Sequence, residues 1–160
     1  MEDAKRRGLE KLKESLILAA KDMDQATAAA LRTDTSTDEA WRRALETAMA
    51  AAYMRPFTTG AWKLPGKYAP KDRAAKELHR TLETLRNKVY AHLDKASGRS
   101  ASMKTVKTSR GIPTISYGSA WWAFPVQELH AVQALCYDQK ERFLTDAAAI
   151  DVELEEADGV

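Results

Sequence analysis

Residues 3–31 read DAKRRGLEKLKESLILAAKDMDQATAAAL, with apolar side chains at intervals of three and four. This spacing follows the 3.6-residue period of an α-helix and places the apolar side chains on one face. The residues on that face are Leu9, Leu12, Leu16, Ala19, Met23, Ala26 and Ala30. The segment therefore predicts one long amphipathic helix that packs against other helices.

A second helix is predicted to follow the turn residues Thr35 to Asp38, which offer candidates for its N-cap. Its inward positions are predicted to be Trp41, Ala44, Leu45, Ala48, Met49 and Ala52. Arg55 precedes Pro56, which disfavours helical geometry and predicts the end of the helix. The segment Phe57–Ala69 then predicts an ordered connection, because Trp62 and Tyr68 favour burial.

Two more helices complete the helical pattern. The third is predicted from Pro70 to about Ser97-Gly98, and the fourth opens at Pro125. Predicted inward residues are Ala75, Leu78, Leu82, Leu85, Val89 and Leu93 in the third helix, and Leu129, Val132, Cys136, Phe143, Ala147 and Ile150 in the fourth.

The segment between these two helices lacks a helical period. Thr105-Val106 and Ile115-Ser116-Tyr117 flank Ser109-Arg110-Gly111, which predicts a β-hairpin with Pro113 restricting its second strand to an edge. The predicted fold class is thus all-α, an antiparallel four-helix bundle with a β-hairpin insertion before the last helix. A single domain is predicted over 1–160, with the insertion at 97–124 and an acidic tail at 151–160.

The composition is that of a folded globular protein. Of 160 residues, 44% are hydrophobic and 30% are charged, with seven Gly and five Pro, which argues against disorder and low-complexity architectures. The apolar run Ala48–Met54 is far shorter than the ~18 residues of a membrane span, and no secretory signal is expected at the N-terminus. Cys136 is the only cysteine, which excludes an intramolecular disulfide and cysteine-based zinc sites and predicts a cytoplasmic protein.

The net charge of +2 conceals an uneven distribution. No acid occurs from Thr47 to Lys71 or from Lys95 to Gln127, and the second stretch includes Lys104, Lys107 and Arg110. Such stretches are commonly solvated surface, but they also suit a polyanionic partner. The charge distribution therefore makes a polyanionic partner a hypothesis to test, with these three residues as candidate contacts.

Familiar enzyme motifs are missing, including a P-loop, a dinucleotide glycine fingerprint, a G-x-S-x-G elbow and an H-E-x-x-H pair. At ~100° per residue, His92 and Arg86 would lie at the two margins of the apolar stripe of the third helix. Both would then border one groove. The structural alternative pairs Arg86 with Glu83, packs Tyr90 and makes His92 a half-buried residue at the core edge.

The string Arg86-Asn87-Lys88-Val89-Tyr90-Ala91-His92 resembles the signature of the HEPN superfamily, helical bundles that often cleave RNA. Tyr53-Met54-Arg55-Pro56-Phe57 is likewise similar to an abortive-infection-type HEPN-like family, and the resemblance covers about Tyr53 to Asp94. It implies a metal-independent endoribonuclease without a cofactor, acting in phage defence or a toxin–antitoxin system. Two bundles would pair as a homodimer, and an antitoxin or other protein is a further possible partner.

The resemblance also implies the roles of individual residues. His92 would act as acid or base and Arg86 would clamp phosphate oxygens. Asn87 would contact phosphate or orient His92, although ideal helical geometry places it on the outward face. Lys88 and Tyr90 would contribute to RNA binding. Because one histidine cannot easily hold both protonation states, the homodimer would supply the second.

Four other interpretations concern the function of the chain and its histidine and aromatic residues. The chain can be a non-catalytic HEPN-like bundle that binds a protein or nucleotide. A metal site of His79, His92 and His130 is disfavoured, because the first two lie ~20 Å apart along one helix. Arg73 and His79 repeat the spacing of Arg86 and His92, but Arg73 would point off the apolar stripe. Finally, Trp121, Trp122 and Phe124 can either stack on bases or cap the bundle.

Overall fold

The structure is a computed structural model that describes residues 3–58, 60–89, 100–107, 113–120 and 124–158 of the chain. Four α-helices account for most of these residues: α1 (Asp3–Thr35), α2 (Glu39–Met54), α3 (Arg73–Thr84) and α4 (Val126–Asp158). The predicted all-α class is confirmed. None of the described helices combines the length and apolarity needed to cross a bilayer.

The two longest helices, α1 and α4, run antiparallel. Lys5 of α1 pairs with Glu153 of α4 at 2.8 Å, and further along α1 Asp24 pairs with Lys140 at 2.8 Å. Between these pairs, Lys13 contacts Asp151. The acidic segment from Asp151 to Asp158 belongs to α4 and is helical. Two of its carboxylates, those of Asp151 and Glu153, contact lysines of α1.

The apolar stripes predicted for α1 and α4 form the centre of the core. Leu16, Met23 and Phe143 are completely buried. All six inward residues predicted for α4 are buried, whereas Leu9 and Leu12 near the start of α1 are partly buried. The helical period alone thus identified most of the buried apolar residues of α1 and α4.

Helix α2 begins as expected and buries Leu45, Met49 and Ala52 as predicted, but three of its predicted inward positions are wrong. The side chain of Asp38 caps it by accepting a hydrogen bond from the backbone N–H of Trp41 at 2.7 Å. Trp41 itself is 59% exposed, and Ala44 and Ala48 are also exposed, so their predicted inward positions are wrong. Trp41 lies one turn before Leu45, which is buried, so burial on this side of α2 begins after its first turn.

The buried face of α2 includes one charged side chain, that of Glu46. Glu46 is 1% exposed, and Nε of Arg42 donates to its carboxylate at 3.0 Å. Nη2 of Arg42 also donates to the backbone carbonyl of Phe124 at 2.9 Å. The same guanidinium therefore links α2 to the segment that enters α4.

The connection from α2 to α3 is ordered in its described residues and includes two 3₁₀ turns, Arg55–Phe57 and Gly66–Tyr68. Tyr68 is buried, as predicted, and its ring lies 5.9 Å from that of Phe143. Trp62 is 47% exposed, so the expectation of its burial is wrong.

Helix α3 starts and ends differently from the sequence prediction. Its N-cap is Asp72, which accepts from the backbone N–H of Ala75 at 3.0 Å, so the helix begins at Arg73 and not at Pro70. Its α-helical part ends at Thr84, and Leu85–Val89 form a turn of π-helix. The remainder of the predicted helix, residues 90–99, lies outside the described residues.

Two strands, β1 (Ser100–Lys107) and β2 (Pro113–Ala120), lie within the predicted insertion at 97–124. They pair antiparallel, with Ser100 opposite Ala120 and Lys107 opposite Pro113. Pro113 is the first residue of its strand, a position that tolerates the missing backbone donor. Trp121 and Trp122 lie outside the described residues, while Phe124 is completely buried.

Candidate functional site

The first two residues of the predicted catalytic signature lie in the π-helical turn that follows α3. Arg86 is exposed, and its Nη1 donates a hydrogen bond to Oδ1 of Asn87 at 2.7 Å. Asn87 is partly buried, whereas ideal α-helical geometry predicted an outward position. The structure thus brings the predicted arginine and its polar neighbour into direct contact, with the guanidinium on the surface.

The π-helical turn changes the geometry on which the sequence argument relied. A π-helix closes its hydrogen bonds from i to i+5, so residues advance by less than 100° and their phase shifts relative to an α-helix. Such turns are rare in proteins. A large share of those that occur lie at functional sites. The angular relation predicted between Arg86 and His92 assumed a regular α-helix through both residues and is not valid beyond Leu85.

The structure describes only some of the other predicted site residues. His92, Tyr90 and Arg110 lie outside the described residues. Lys88 belongs to the π-helical turn. Lys104 and Lys107 lie on β1, opposite Ser116 and Pro113 of β2. The roles of these residues in catalysis and RNA binding therefore stay predictions.

His79, the histidine of the alternative arginine–histidine pair, lies between two aromatic residues. Its Nδ1 is 3.0 Å from the hydroxyl oxygen of Tyr53, and its ring packs edge-on against Phe57 with 4.9 Å between centroids. Burial lowers the pKa of His79, with the charge of Glu83 opposing the shift. Burial also raises the pKa of Tyr53, so the phenol keeps its proton and can donate it to a neutral imidazole.

Arg73 is separated from this histidine. Its side chain is 94% exposed, and its Nε contacts the carboxylate of Glu77 at 3.2 Å. The expectation that Arg73 points away from the apolar stripe therefore agrees with its exposure. The two residues that repeat the signature spacing do not form one site, because His79 is directed at Tyr53 and Phe57.

The string Tyr53–Phe57, the second segment that carries the resemblance, joins three elements. Tyr53 and Phe57 contact His79 of α3. Arg55 reaches α1, where its Nη1 donates to the carboxylate of Asp22 and to Oε1 of Gln25, the latter at 3.3 Å. Asp22 is 8% exposed, and its burial raises its pKa while the nearby guanidinium opposes the shift.

Sequence reasoning missed Asp22 and Glu46, the two carboxylates that are buried among the described residues. Asp22 follows Ala19 by three residues and precedes Ala26 by four, so it occupies a position in the helical spacing of buried residues. A carboxylate at such a position requires a charged or hydrogen-bonding partner. That signal indicated a buried polar contact, but the sequence did not identify Arg55 as the partner.

Metal-ligating side chains do not cluster in the described part of the chain. No group of three or more His, Cys, Asp or Glu residues has suitable geometry there. His130 is exposed and His79 contacts Tyr53. Cys136 is buried, and burial raises the pKa of its thiol to about 12, so it is not a reactive thiolate.

Comparison of the chain with protein-family models, curated proteins and solved structures finds no match.

Proposed function

We propose that this chain is a metal-independent endoribonuclease of the HEPN type, built on an antiparallel four-helix bundle and acting as a homodimer. Its setting in this proposal is phage defence or a toxin–antitoxin system. The observation that carries the proposal is the exposed guanidinium of Arg86, held by Asn87 in the π-helical turn after α3. An exposed, oriented arginine is suited to bind phosphate oxygens through two parallel hydrogen bonds.

The surroundings of His79 support the choice of His92 as the acid–base residue. His79 is engaged with Tyr53, and its pKa is lowered, which favours the neutral imidazole. Arg73, which has the signature spacing from His79, is directed at Glu77. Among the two arginine–histidine pairs with this spacing, Arg86 and His92 are therefore the better candidates.

In the proposed reaction, one His92 removes the proton of the ribose 2′-hydroxyl, and the oxygen attacks the adjacent phosphorus. The His92 of a second subunit protonates the departing 5′-oxygen. The fragment that supplied the 2′-oxygen then ends in a 2′,3′-cyclic phosphate. Arg86 stabilises the negative charge that develops on the phosphorane oxygens. Lys88, Tyr90, Lys104, Lys107 and Arg110 are proposed to bind RNA.

The test is cleavage of RNA in the presence of a chelator by purified wild type, His92→Ala and Arg86→Ala. We expect both variants to lose at least about 100-fold in rate. His130→Ala is the matched control, since His130 is exposed on α4. Sedimentation should give about twice the monomer mass of 17.8 kDa. Cleavage that requires a metal, equal rates for wild type and His92→Ala, or a strict monomer would contradict the proposal.

A second candidate function is protein binding without catalysis, and a groove between α3 and α4 favours it. The groove has a volume of about 510 Å³, with Ala75, Leu78 and Leu135 among its apolar residues and Glu77 and Glu128 among its acidic ones. This charge repels RNA and suits a basic, apolar protein segment. If purified wild type does not cut RNA at any pH between 5 and 9, the non-catalytic function becomes the better one.

A further inference from the structure

A second cavity lies where α1 meets the connection that follows α2, and we call it the Trp62 cavity. Its volume is about 260 Å³. Its lining includes both apolar and polar residues. The apolar residues include Leu18, Pro56 and Trp62, and the polar residues include Asp22, Gln25 and Arg55.

The connection between α2 and α3 holds Trp62 at this cavity. Leu64 is buried, and its backbone N–H donates to the carbonyl of Pro56 at 2.8 Å, which closes the loop. Gly60 has a φ of +153°, a conformation that residues with a Cβ rarely adopt. The loop thus places a large indole, 47% exposed, beside a cavity instead of burying it in the core. An exposed indole face is a platform on which a planar ring can stack.

The polar residues that line the cavity present a donor next to an acceptor. Nη1 of Arg55 donates to the carboxylate of Asp22 and, at 3.3 Å, to Gln25. The side chain of Arg55 is 57% exposed and that of Asp22 is 12% exposed. A carboxylate has about four lone-pair sites and a guanidinium has five N–H donors, so this ion pair does not exhaust either group.

We propose that the Trp62 cavity binds a guanine base, which stacks on Trp62 and places its Watson–Crick edge against Asp22 and Arg55. Guanine offers an acceptor, O6, beside two adjacent donors, N1–H and the 2-amino group. Arg55 would donate to O6, and the two oxygens of Asp22 would accept from the two donors. Adenine and cytosine each offer one amino group on this edge, so they would donate to only one of the two carboxylate oxygens.

Two further observations support this inference. Burial raises the pKa of Asp22, so its ionised form loses solvation in the folded chain. Two N–H donors from a ligand would compensate for that lost solvation. Lys21 also lines the cavity and is exposed, which provides a cation for the phosphate of a nucleotide.

This site goes beyond the proposed ribonuclease activity and uses different residues. Cleavage is assigned to Arg86 and His92, whereas guanine binding depends on Asp22, Arg55 and Trp62. The guanine can belong to a free nucleotide or to an RNA strand. A calorimetric titration with GMP and one with RNA distinguish these two sources.

For the nucleotide, the titration compares GMP, IMP and AMP with the wild-type chain. GMP is expected to bind at least about 10-fold more tightly than IMP, which lacks the 2-amino group, and than AMP. Trp62→Ala should weaken GMP binding about 10-fold or more. Trp41→Ala is the matched control, because Trp41 is an exposed tryptophan on α2 and does not line the cavity. Asp22→Asn should reduce the preference for GMP over IMP, with thermal unfolding recorded to check its fold.

For RNA, the ligand is a uridine hexamer with or without one central guanosine. Every 2′-oxygen of the hexamer is methylated, so the chain cannot cut it. Tighter binding of the guanosine-containing hexamer, lost in Trp62→Ala but kept in Trp41→Ala, supports the site even where GMP alone binds weakly. The inference is overturned if neither ligand shows a preference for guanine, or if Trp41→Ala weakens binding as much as Trp62→Ala.

Discussion

The hydroxyl oxygen of Tyr53 lies 3.0 Å from Nδ1 of His79, and this contact joins α2 to α3. Tyr53 is completely buried and its phenol keeps its proton, while burial favours the neutral form of His79. The pair therefore links the stability of the helix packing to pH.

Stability should fall on acidification through His79. Because the pKa of His79 is lower in the folded chain than its ordinary value of ~6.5, the unfolded chain takes up the proton first as pH falls. The free energy of unfolding should thus be largest above pH ~6.5 and decrease below it. Urea unfolding between pH 8 and 5 should show a smaller decrease for His79→Gln than for wild type. His130→Gln, an exposed histidine, should behave like wild type, and equal slopes for all three chains would contradict this role.

Two adjacent arginines on α2 should differ in their effect on stability. Arg42→Ala removes a partner of the buried Glu46 and should lower the free energy of unfolding by about 3 kcal/mol. Arg43 contacts Glu39, whose side chain is 76% exposed, so Arg43→Ala should cost less than about 1 kcal/mol. Chemical denaturation measures both values, and similar losses would argue against a specific role for the buried pair.

A pair of neighbours on α4 tests the core. Phe143 is completely buried, with the rings of Tyr68 and Phe57 at 5.9 and 6.4 Å, and Phe143→Ala should cost about 3–5 kcal/mol. Leu144 is 39% exposed, so Leu144→Ala should cost less than about 1 kcal/mol. Denaturant unfolding measures both losses of free energy, and the m-value of Leu144→Ala should equal that of wild type. Equal losses would place the core on a different face of α4.

The second arginine–histidine pair should be dispensable for RNA cleavage. Arg73→Ala removes an exposed side chain and should leave the rate within a few-fold of wild type, and His79→Ala should retain substantial activity where it is folded. Circular dichroism controls for the fold of each variant. Loss of cleavage in folded His79→Ala, with cleavage retained in His92→Ala, would show that His79 is the acid–base residue.

RNA binding and RNA cleavage should depend on different residues. Replacing Lys104 and Lys107 of β1 with Gln should weaken binding across sequences and reduce the salt dependence of the affinity, by about one unit of log–log slope for each lost phosphate contact. Arg86→Ala and His92→Ala should bind RNA but leave it uncut. Lys11→Gln on α1 is the control, and an unchanged salt slope in the double variant would remove the hairpin from the RNA interface.

The sequence determined those features that depend on neighbours within one or two helical turns. The apolar period predicted the buried stripes of α1 and α4, including Leu16, Met23 and Phe143, and the predicted cap candidates, residues 35–38, include the observed cap Asp38. These features follow from side-chain spacing and from hydrogen bonds that close within four residues, so they are legible in one segment at a time.

Tertiary structure alone decided which charged residues are buried and which large apolar residues are exposed. Asp22 and Glu46 lie inside the fold with Arg55 and Arg42 as partners, whereas Trp62 lies at the surface beside a cavity. The Asp22 partner is far away in the sequence, and the Glu46 partner, although one turn away, is fixed in place by Phe124 of another segment. Burial of a charge is stable only where the fold supplies a partner and excludes water, and neither condition is encoded in the spacing of a single helix.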